Sequence, residues 1–535
     1  MSKRFPGRRL SVVRLVGVIV VVVGLVFAGV QGWRWLVDER TPTPQPWLAG
    51  YVDVTATPAY AFETPVSKAA SNVVLSFVVA DKTNACVPSW GTYYSLDQAE
   101  ASLDLDRRIA RLQQQGGSAM VSFGGQANSE LATVCTDADA LQAAYAQVVT
   151  RYSLSTIDLD IEGSDLTDTA SGARRATAIA ALQKAQEAEG KPLAVWLTLP
   201  VSPTGLTADG TAAVSQMLAG GVDLAGVNLM TMDYGGALAA GQSMSAASIA
   251  ALQATHDQLH TIYAQRGVEL SSKTLWNKLG ATPMIGQNDV PGEIFSLDDA
   301  SALNAFAVAN GVGRMSLWSL NRDQTCSANY PDVTQVSDSC SGVNQNGQSF
   351  ATVLAAGFSG NPNESSDTVT TSEPTPTSTP APSASALADD PATSPYQIWS
   401  PDVAYTAGTR VVWHHNVYVA KYYTMGDLPD DPVVQASATP WQLVGPVLPG
   451  ETPAPVSTLP PGTYPDWSGT QVYTQGDRVN FDGGYYEAKW WTQGNSPAAA
   501  AANDGSSPWA KLTDDQVRAV LGLPPLTPQP TAPAG

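Results

Sequence analysis

Three acidic residues alternate with apolar residues along one short segment of the chain. Asp158, Asp160 and Glu162 are separated by single residues, which are Ile157, Leu159 and Ile161. Side chains alternate between the two faces of a β-strand, so a strand over Thr156–Glu162 places all three carboxyl groups on one face. Carboxyl groups crowded in this way cannot all stay ionised, and one should keep its proton near neutral pH. A protonated carboxyl group is what general acid catalysis requires.

An acidic strand could also be an exposed, solvated strand, or its oxygens could bind a hard cation. No other acidic cluster in the sequence completes a cation shell. The histidines offer no metal site either, because His256 and His260, one helical turn apart, lack an H-E-x-x-H pattern, and His414 and His415 lie far along the chain. The sequence therefore predicts acid catalysis by carboxyl groups, with no metal and no other cofactor.

The segments around these acids predict the elements that position them. Eight apolar, strand-like runs lie at Leu48–Val54, Val73–Val79, Ala119–Phe123, Thr156–Glu162, Leu193–Leu199, Gly226–Met232, Thr282–Ile285 and Arg314–Trp318. Helical patterns lie between most of them, at Leu96–Gln115, Asp139–Tyr152, Ala170–Glu189, Ala208–Ala219, Ala247–Arg266 and Leu297–Asn310. This alternation predicts the α/β class and a (β/α)8 TIM barrel, with the active site at the carboxyl ends of the strands. A doubly wound sheet is the alternative, but no glycine-rich phosphate turn opens any of these helices.

Over roughly Trp47 to Phe358 the chain resembles glycoside hydrolase family 18, the chitinase family. The family motif D-x-x-D-x-D-x-E on the fourth strand is matched in its last three acids, and Ser155 replaces the first acid. Further segments agree in order, namely S-F-G-G at 122–125, V-N-L-M-T-M-D-Y at 227–234 and Trp318 at the end of strand eight. The M-T-M-D-Y variant, with G-Q-N-D at 286–289 and W-S-L-N-R-D at 318–323, is most similar to Pyrococcus-type chitinases.

The resemblance implies hydrolysis of β-1,4 bonds in N-acetylglucosamine polymers by a retaining, substrate-assisted mechanism. Glu162 would protonate the glycosidic oxygen, and the acetamido oxygen of the substrate would attack the anomeric carbon. Asp160 would orient the acetamido group and stabilise the oxazolinium ion. Asp158 would share a proton with Asp160.

The resemblance also implies a set of substrate-binding residues. Asp233 would help to hold the acetamido group. Met232 stands where the family has its acetamide-binding tyrosine, so Tyr234 or another tyrosine is expected to take that role. Met230 and Trp318 would pack under the sugar, although both could instead fill the barrel.

Two aromatic segments near the C-terminus form a repeat at an offset of 68 residues. Trp399 corresponds to Trp467, and the match continues without a gap to Trp441 and Trp509. Each unit predicts a small three-stranded β-module and resembles carbohydrate-binding modules of families 5 and 12. The expected chitin-binding residues are Tyr422 and Tyr423 in the first module and Trp490 and Trp491 in the second, because flat aromatic rings cover the apolar faces of sugars. Trp399 and Trp467, which occupy equivalent positions in the two repeats, could be core residues or ligand contacts.

Composition shifts predict the domain boundaries. Residues 1–40 would be a basic tail with a signal anchor, and 47–358 the catalytic barrel. Linkers rich in Pro, Ser and Thr would cover 359–394 and 446–462. The chitin-binding modules would occupy 395–445 and 463–512, followed by a tail over 513–535.

The N-terminus and the cysteines predict an exported protein. A basic block precedes an apolar run from Leu15 to Val30, which reaches Val37 if its interfacial tryptophans are counted. This pattern favours an uncleaved membrane anchor with the N-terminus inside, and a cleaved signal peptide is the alternative. Four cysteines allow three pairings. Cys86–Cys135 and Cys326–Cys340 are preferred because each pair follows barrel strands at the same end; free thiols are the alternative.

Composition narrows the function further. Lys and Arg number 28 against 48 Asp and Glu, a formal charge of −20, which argues against a nucleic-acid partner. The leading hypothesis is an extracellular, monomeric chitinase acting on chitin or N-acetylglucosamine oligomers. A non-catalytic chitin-binding lectin and an endo-β-N-acetylglucosaminidase are the alternatives; retention of Glu162 argues against the first, and the binding modules argue against the second.

Overall fold

The computed structural model describes residues 44–328, 336–363, 389–401, 403–430, 439–453, 458–501, 507–512 and 514–523. These residues divide into two compact units, one holding 44–95, 116–328 and 336–363, the other holding 96–115 and the described residues from 389 onward. The predicted anchor at 1–40, most of the linker at 359–394 and most of the tail at 513–535 lie outside the described residues. No described helix is long and apolar enough to cross a membrane.

In the first unit, eight parallel strands close into a barrel. They are β1 (Trp47–Leu48 and Gly50–Asp53), β2 (Asn72–Ala80), β3 (Ser118–Gly124), β4 (Thr156–Asp160), β5 (Ala194–Ser202), β6 (Leu224–Met230), β7 (Leu279–Thr282) and β8 (Arg314–Met315). Each strand pairs in parallel with the next, and β1 also pairs with β8. The strands are buried on both faces, as parallel strands covered by helices usually are. The predicted barrel is confirmed.

The crossover segments supply the helices of this unit. They are Leu131–Val134, Ala138–Arg151, Gly163–Thr167, Thr169–Ala188, Ala208–Ala219, Met244–Gln265, Ser272–Asn277, Leu297–Asn310 and Phe350–Leu354, with short 3-10 turns at Lys68–Ala70, Gly235–Ala237 and Leu320–Arg322. Side chains cap several of them; Asp168, for example, accepts from the backbone N–H groups of Ala170 and Ser171. Short additional strands lie at Pro88–Trp90, Tyr94–Ser95, Gly205–Leu206, Gly286–Gln287 and Ile294–Phe295.

Two strand boundaries differ from the sequence prediction. β4 ends at Asp160 instead of Glu162, because Gly163 adopts a positive φ of 56° and turns the chain into the next helix. β7 begins at Leu279 and ends at Thr282, where the prediction had it begin, because Pro283 cannot donate to the strand ladder. The first difference matters for function, since it moves Glu162 off the strand.

The second unit contains the two repeats and the helical segment 96–115. The predicted single helix is two helices, Leu96–Leu103 and Leu105–Gln114, separated by Asp104 at a φ of 51°. The first repeat forms a sheet of Arg410–Trp413, Asn416–Ala420 and Trp441–Pro446, and the second a sheet of Arg478–Phe481, Gly484–Ala488 and Trp509–Lys511. Paired short strands accompany each, Ala404–Tyr405 with Thr424–Met425 and Val472–Tyr473 with Thr492–Gln493, and short helices lie at Ala498–Ala501 and Asp514–Val520. The three-stranded prediction is confirmed.

Equivalent aromatic residues build the cores of the two repeats. Tyr405 and Trp441 are buried in the first, and Tyr473 and Trp509 are buried at the corresponding positions in the second. Trp399 belongs to the core of the first module and Trp467 packs, partly buried, against the core of the second. Both tryptophans that the sequence left undecided are therefore core residues.

Both predicted disulfides are present. Cys86 is bonded to Cys135, and Cys326 is bonded to Cys340. Cys86 follows β2 and Cys135 follows β3, so the first bridge joins two neighbouring loops. None of the cysteines is free.

Candidate active site

Asp158, the first of the three acids, is wholly buried at the middle of β4. One of its carboxylate oxygens accepts from Thr198 and Arg314, both at 2.6 Å. The other accepts from Ser122 at 2.7 Å and Tyr51 at 2.9 Å. Four donors and a buried ion pair suit the ionised carboxylate, which can only accept. The expectation that Asp158 shares a proton with Asp160 is therefore not met by this geometry.

Asp160, at the end of the same strand, has a different environment. It is 4 % exposed, and its Oδ1 atom has no hydrogen-bond partner among the described residues. Burial, followed by the charges of Glu162 and Asp158, raises the pKa of Asp160 well above its usual value, and Arg314 only partly opposes this. Asp160 is thus the carboxyl group of this strand that most strongly favours the neutral, protonated form.

Glu162 lies just beyond β4, on an extended residue that precedes the helix Gly163–Thr167. It is partly exposed, as a group that must reach a substrate has to be. Burial and the charge of Asp233 raise the pKa of Glu162 to about 7. At neutral pH this carboxyl group can therefore both donate and accept a proton, which suits a general acid that later acts as a base.

Asp233 follows β6 and adopts a φ of 51°, a left-handed conformation that turns the chain sharply. Its carboxylate accepts from the backbone N–H of Val290 at 3.0 Å, and its own N–H donates to Asn288 at 3.2 Å. Burial raises the pKa of Asp233, and the acidic neighbours Asp289 and Glu293 add to this. The charge of Asp233 also raises the pKa of Glu162, so the two carboxyl groups are linked electrostatically.

Tyr234 does not reach the position expected for an acetamide-binding tyrosine. The turn at Asp233 directs it away from the strand end, and its hydroxyl lies 3.3 Å from Ser248 on the helix Met244–Gln265. Its backbone N–H donates to Glu293 at 2.9 Å. The Tyr234 side chain is buried. Its expected role in binding the sugar is therefore not supported, and a structural role explains its contacts.

Trp318 and Met230 lie where the sequence placed them, at the carboxyl ends of β8 and β6. Trp318 is partly buried and stacks on Phe77, with ring centroids 5.5 Å apart and planes 21° apart. Tyr51 lies below, 6.0 Å from the Trp318 ring. Met230 is partly exposed at the end of its strand. Trp318, Met230 and Phe77 are thus all partly exposed near the carboxyl ends of the strands.

Sequence reasoning missed the residues that hold Asp158. Arg314 is fully buried at the start of β8, and it also donates to the Tyr51 hydroxyl at 3.0 Å. A basic residue within an apolar barrel strand needs an acidic partner. The presence of Arg314 in such a strand could therefore have indicated an ion pair with an acid inside the barrel. Tyr51 and Thr198 carried no such signal, because a hydroxyl in a strand is ordinary. Ser155, in place of the first motif acid, donates to Asn363 at 2.9 Å instead.

The expected sugar-binding rings of the small modules are exposed. Tyr422 and Tyr423 are 49 % and 63 % exposed, and Trp490 and Trp491, at the equivalent positions, are 48 % and 61 % exposed. Lys489 lies 4.7 Å from the centre of the Trp490 ring. Large aromatic rings that are exposed to solvent in the short connections between strands are suited to stacking on sugars. Within the described residues, no group of three His, Cys, Asp or Glu side chains could hold a metal ion.

Comparison with known proteins finds chitinases that are similar to this chain and a family model that matches its second module. A family model described as carbohydrate-binding module family 5/12 matches residues 466–510, within the second module. Over 310 residues the chain is 37 % identical to a probable bifunctional chitinase/lysozyme of Escherichia coli, covering 54 % of this chain and 33 % of that protein. Over 309 residues it is 35 % identical to endochitinase 11 of Metarhizium anisopliae, covering 54 % and 57 %. The chain thus spans one third to just over half of the length of these relatives.

Among solved structures, the chain is similar to the catalytic domain of a hyperthermophilic chitinase from Pyrococcus furiosus. The two are 25 % identical with a TM-score of 0.50, over 59 % of this chain and 97 % of that one. Catalytic-site mutants of active domain 2 of the same organism's chitinase give the same values. The predicted resemblance to Pyrococcus-type family 18 chitinases is confirmed.

Proposed function

We propose that the chain is an exported chitinase that hydrolyses β-1,4 bonds of N-acetylglucosamine polymers. The observation that carries the proposal is the pair formed by a neutral Asp160 and by Glu162, whose pKa burial and Asp233 raise to about 7, at the strand ends of the barrel. The similarity to chitinases over the barrel and the family 5/12 match at 466–510 support this substrate class.

The chemistry follows from these two carboxyl groups. Glu162 donates its proton to the glycosidic oxygen as the C1–O bond breaks, and the acetamido oxygen of the same sugar forms a bond to C1. A carboxyl oxygen of Asp160 accepts a hydrogen bond from the acetamido N–H, which orients the acetamido group and stabilises the resulting oxazolinium ion. The deprotonated Glu162 then takes a proton from water, whose oxygen attacks C1 and reopens the ring. Configuration at C1 is retained.

Asp158 serves this chemistry indirectly. Its ionised carboxylate, paired with Arg314, places a fixed negative charge next to Asp160 along the strand. That charge raises the pKa of Asp160 and so favours its protonated form. Asp233 does the same for Glu162, and Trp318 and Met230 are proposed to pack against the sugar.

Chitin is favoured over soluble glycans because of the modules, which suggest attachment to an insoluble polymer. The two disulfides fit an oxidising compartment. We propose an extracellular, monomeric enzyme held by the N-terminal segment or secreted after its cleavage. The alternatives, a chitin-binding lectin and an endo-β-N-acetylglucosaminidase, differ in the outcome of one experiment.

That experiment compares the full chain with a variant lacking residues 364–535, on colloidal chitin, on cellulose, on soluble chito-oligomers and on a glycoprotein that carries N-glycans. We expect hydrolysis of both chitin substrates and none of cellulose. The deletion should weaken binding to colloidal chitin and spare hydrolysis of the oligomers. Binding without hydrolysis would indicate a lectin, and cleavage of N-glycans but not of chitin would indicate the glucosaminidase.

A further inference from the structure

Asp165 lies three residues after Glu162, on the one-turn helix that follows the acid. Its carboxylate accepts two hydrogen bonds from a neighbouring loop, from the Thr133 hydroxyl at 3.0 Å and from the Glu130 backbone N–H at 3.2 Å. Its own backbone N–H donates to the carbonyl oxygen of Glu162 at 3.2 Å. One residue therefore ties the Glu162 backbone to the loop that follows β3.

That loop is itself fixed by a buried charged cluster that the proposed chemistry does not use. Glu130 is 1 % exposed, and its carboxylate accepts from Tyr145 at 2.5 Å and Arg175 at 2.9 Å. Arg174 donates to the carbonyl oxygen of Ala132 at 2.7 Å. Tyr145 and the arginines belong to two different helices, so the loop that Asp165 binds is anchored from both. Cys135 and its disulfide follow directly in the chain.

On the other side of Glu162 the backbone is held by the barrel. The carbonyl oxygen of Asp160 accepts from the N–H of Gly125 at 2.9 Å, and the N–H of Ile161 donates to the carbonyl oxygen of Thr198 at 3.1 Å. At Gly124, whose φ is 102°, a Cβ atom would lie 2.1 Å from the Asp160 carbonyl oxygen. Glu162 thus lies between a strand end that is held by the barrel and a short helix. The Asp165 carboxylate bonds this helix to Thr133 and Glu130.

We propose that Asp165 is a positioning residue, which holds Glu162 at the distance from the scissile bond that proton transfer needs. The proposal rests on the proposed function for the identity of the acid. A short helix with few buried residues has little stability of its own, so its position depends on its cross-links. A misplacement of about 1 Å is enough to slow an enzymatic step by roughly a hundredfold.

The test compares Asp165→Ala, Asp165→Asn and the control Asp168→Ala. Alanine removes both hydrogen bonds, and kcat on chitotetraose should fall roughly ten- to hundredfold with little change in KM. Asparagine can accept from Glu130 and donate to Thr133, so it should restore most of the rate. Asp168 caps the next helix, so Asp168→Ala should slightly lower the midpoint of thermal denaturation without the same loss in kcat. Thr133→Val removes only the hydrogen bond between Thr133 and Asp165, so it should also lower kcat. When it is combined with Asp165→Ala, kcat should fall no further than in Asp165→Ala alone.

Two readouts separate positioning from general loss of structure. The alkaline limb of the pH–rate profile should move in Asp165→Ala, because the surroundings of Glu162 change, and stay in place in Asp168→Ala. Amide hydrogen exchange should speed up at 163–165 and at Glu130 in Asp165→Ala only. Equal loss of kcat in both alanine variants, or unchanged exchange in Asp165→Ala, would overturn the proposal. Amide hydrogen exchange can be measured without turnover. A wild-type protein that cleaves no chitin would therefore refute the proposed function, while the exchange rates would still test the role of Asp165.

Discussion

The barrel and the small modules place the side chains proposed to act in function in opposite environments. In the barrel, Asp158 and Asp160 are buried, where desolvation and neighbouring charges decide which of them keeps a proton. In the modules, Trp490 and Trp491 are about half exposed between the strands Gly484–Ala488 and Thr492–Gln493, and other aromatic residues fill the core of the module. Breaking a glycosidic bond needs a tuned proton, whereas holding a polymer needs only exposed ring surface. We infer that burial tunes the carboxyl groups proposed for catalysis, whereas exposure leaves the aromatic rings free to bind the polymer.

The largest effect is expected where the barrel depends on paired buried charges. Arg314→Met leaves the Asp158 carboxylate buried without its cation, which should lower the free energy of unfolding of the barrel by about 3–5 kcal/mol. Lys191→Met, which removes an exposed pair with Glu189, is the control and should change it by less than about 0.5 kcal/mol. Urea denaturation followed by tryptophan fluorescence measures both. Equal free energies of unfolding in the two variants would show that the buried pair of Asp158 and Arg314 does not stabilise the barrel.

A smaller effect is expected on the exposed rings. Trp490→Ala and Trp491→Ala should each weaken binding to insoluble chitin by roughly tenfold, since a lost aromatic contact costs on the order of 1 kcal/mol. Tyr422→Ala and Tyr423→Ala should weaken it less, because tyrosine offers a smaller ring. Val472→Ala is a matched control, an exposed aliphatic residue of the second module, and should leave binding unchanged. Pull-down on chitin gives the affinities, and a similar loss for Val472→Ala would refute the role of the rings.

A further effect is expected on the pH dependence of stability. The pKa of Glu162 is about 7 in the folded protein against an ordinary value of 4.5, so the folded state binds more protons than the unfolded state between these values. The free energy of unfolding should therefore fall as the pH rises from about 4.5 to about 7. Thermal denaturation at pH 5 and pH 7 should show a lower midpoint at pH 7, and Glu162→Gln should reduce the difference. A larger difference in the variant would contradict the assigned shift.

Much of the fold was predictable because its signals are local. Buried parallel strands give apolar runs, and the repeat at an offset of 68 reveals the modules directly. The boundary at Asp160 was not predictable, because it depends on the turn at Gly163 and on a bond from Ile161 to a neighbouring strand. The disulfide partners could be predicted because the barrel topology brings β2 and β3 side by side.

The candidate site was predictable in its residues and less so in its electrostatics. The spacing of Asp158, Asp160 and Glu162 indicated that one acid must be neutral. Only the three-dimensional contacts show that Arg314 and three hydroxyl groups all donate to the Asp158 carboxyl group. The contacts of Tyr234 were missed for a similar reason, since a strand pattern does not show that its side chain is buried and that its hydroxyl lies 3.3 Å from Ser248.

The central claim is that Glu162 supplies the proton to the leaving group, and leaving-group dependence tests it most directly. The measurement is kcat/KM against pH for wild type and Glu162→Gln, on chitotetraose and on a dinitrophenyl chitobioside whose leaving group needs no proton. We predict that the variant loses roughly 10²–10⁴-fold on chitotetraose but less than about tenfold on the activated substrate. The wild-type rate on chitotetraose should fall above pH of about 7, as expected from the raised pKa of Glu162. Equal losses on both substrates, or an alkaline limb that persists in the variant, would contradict the assignment.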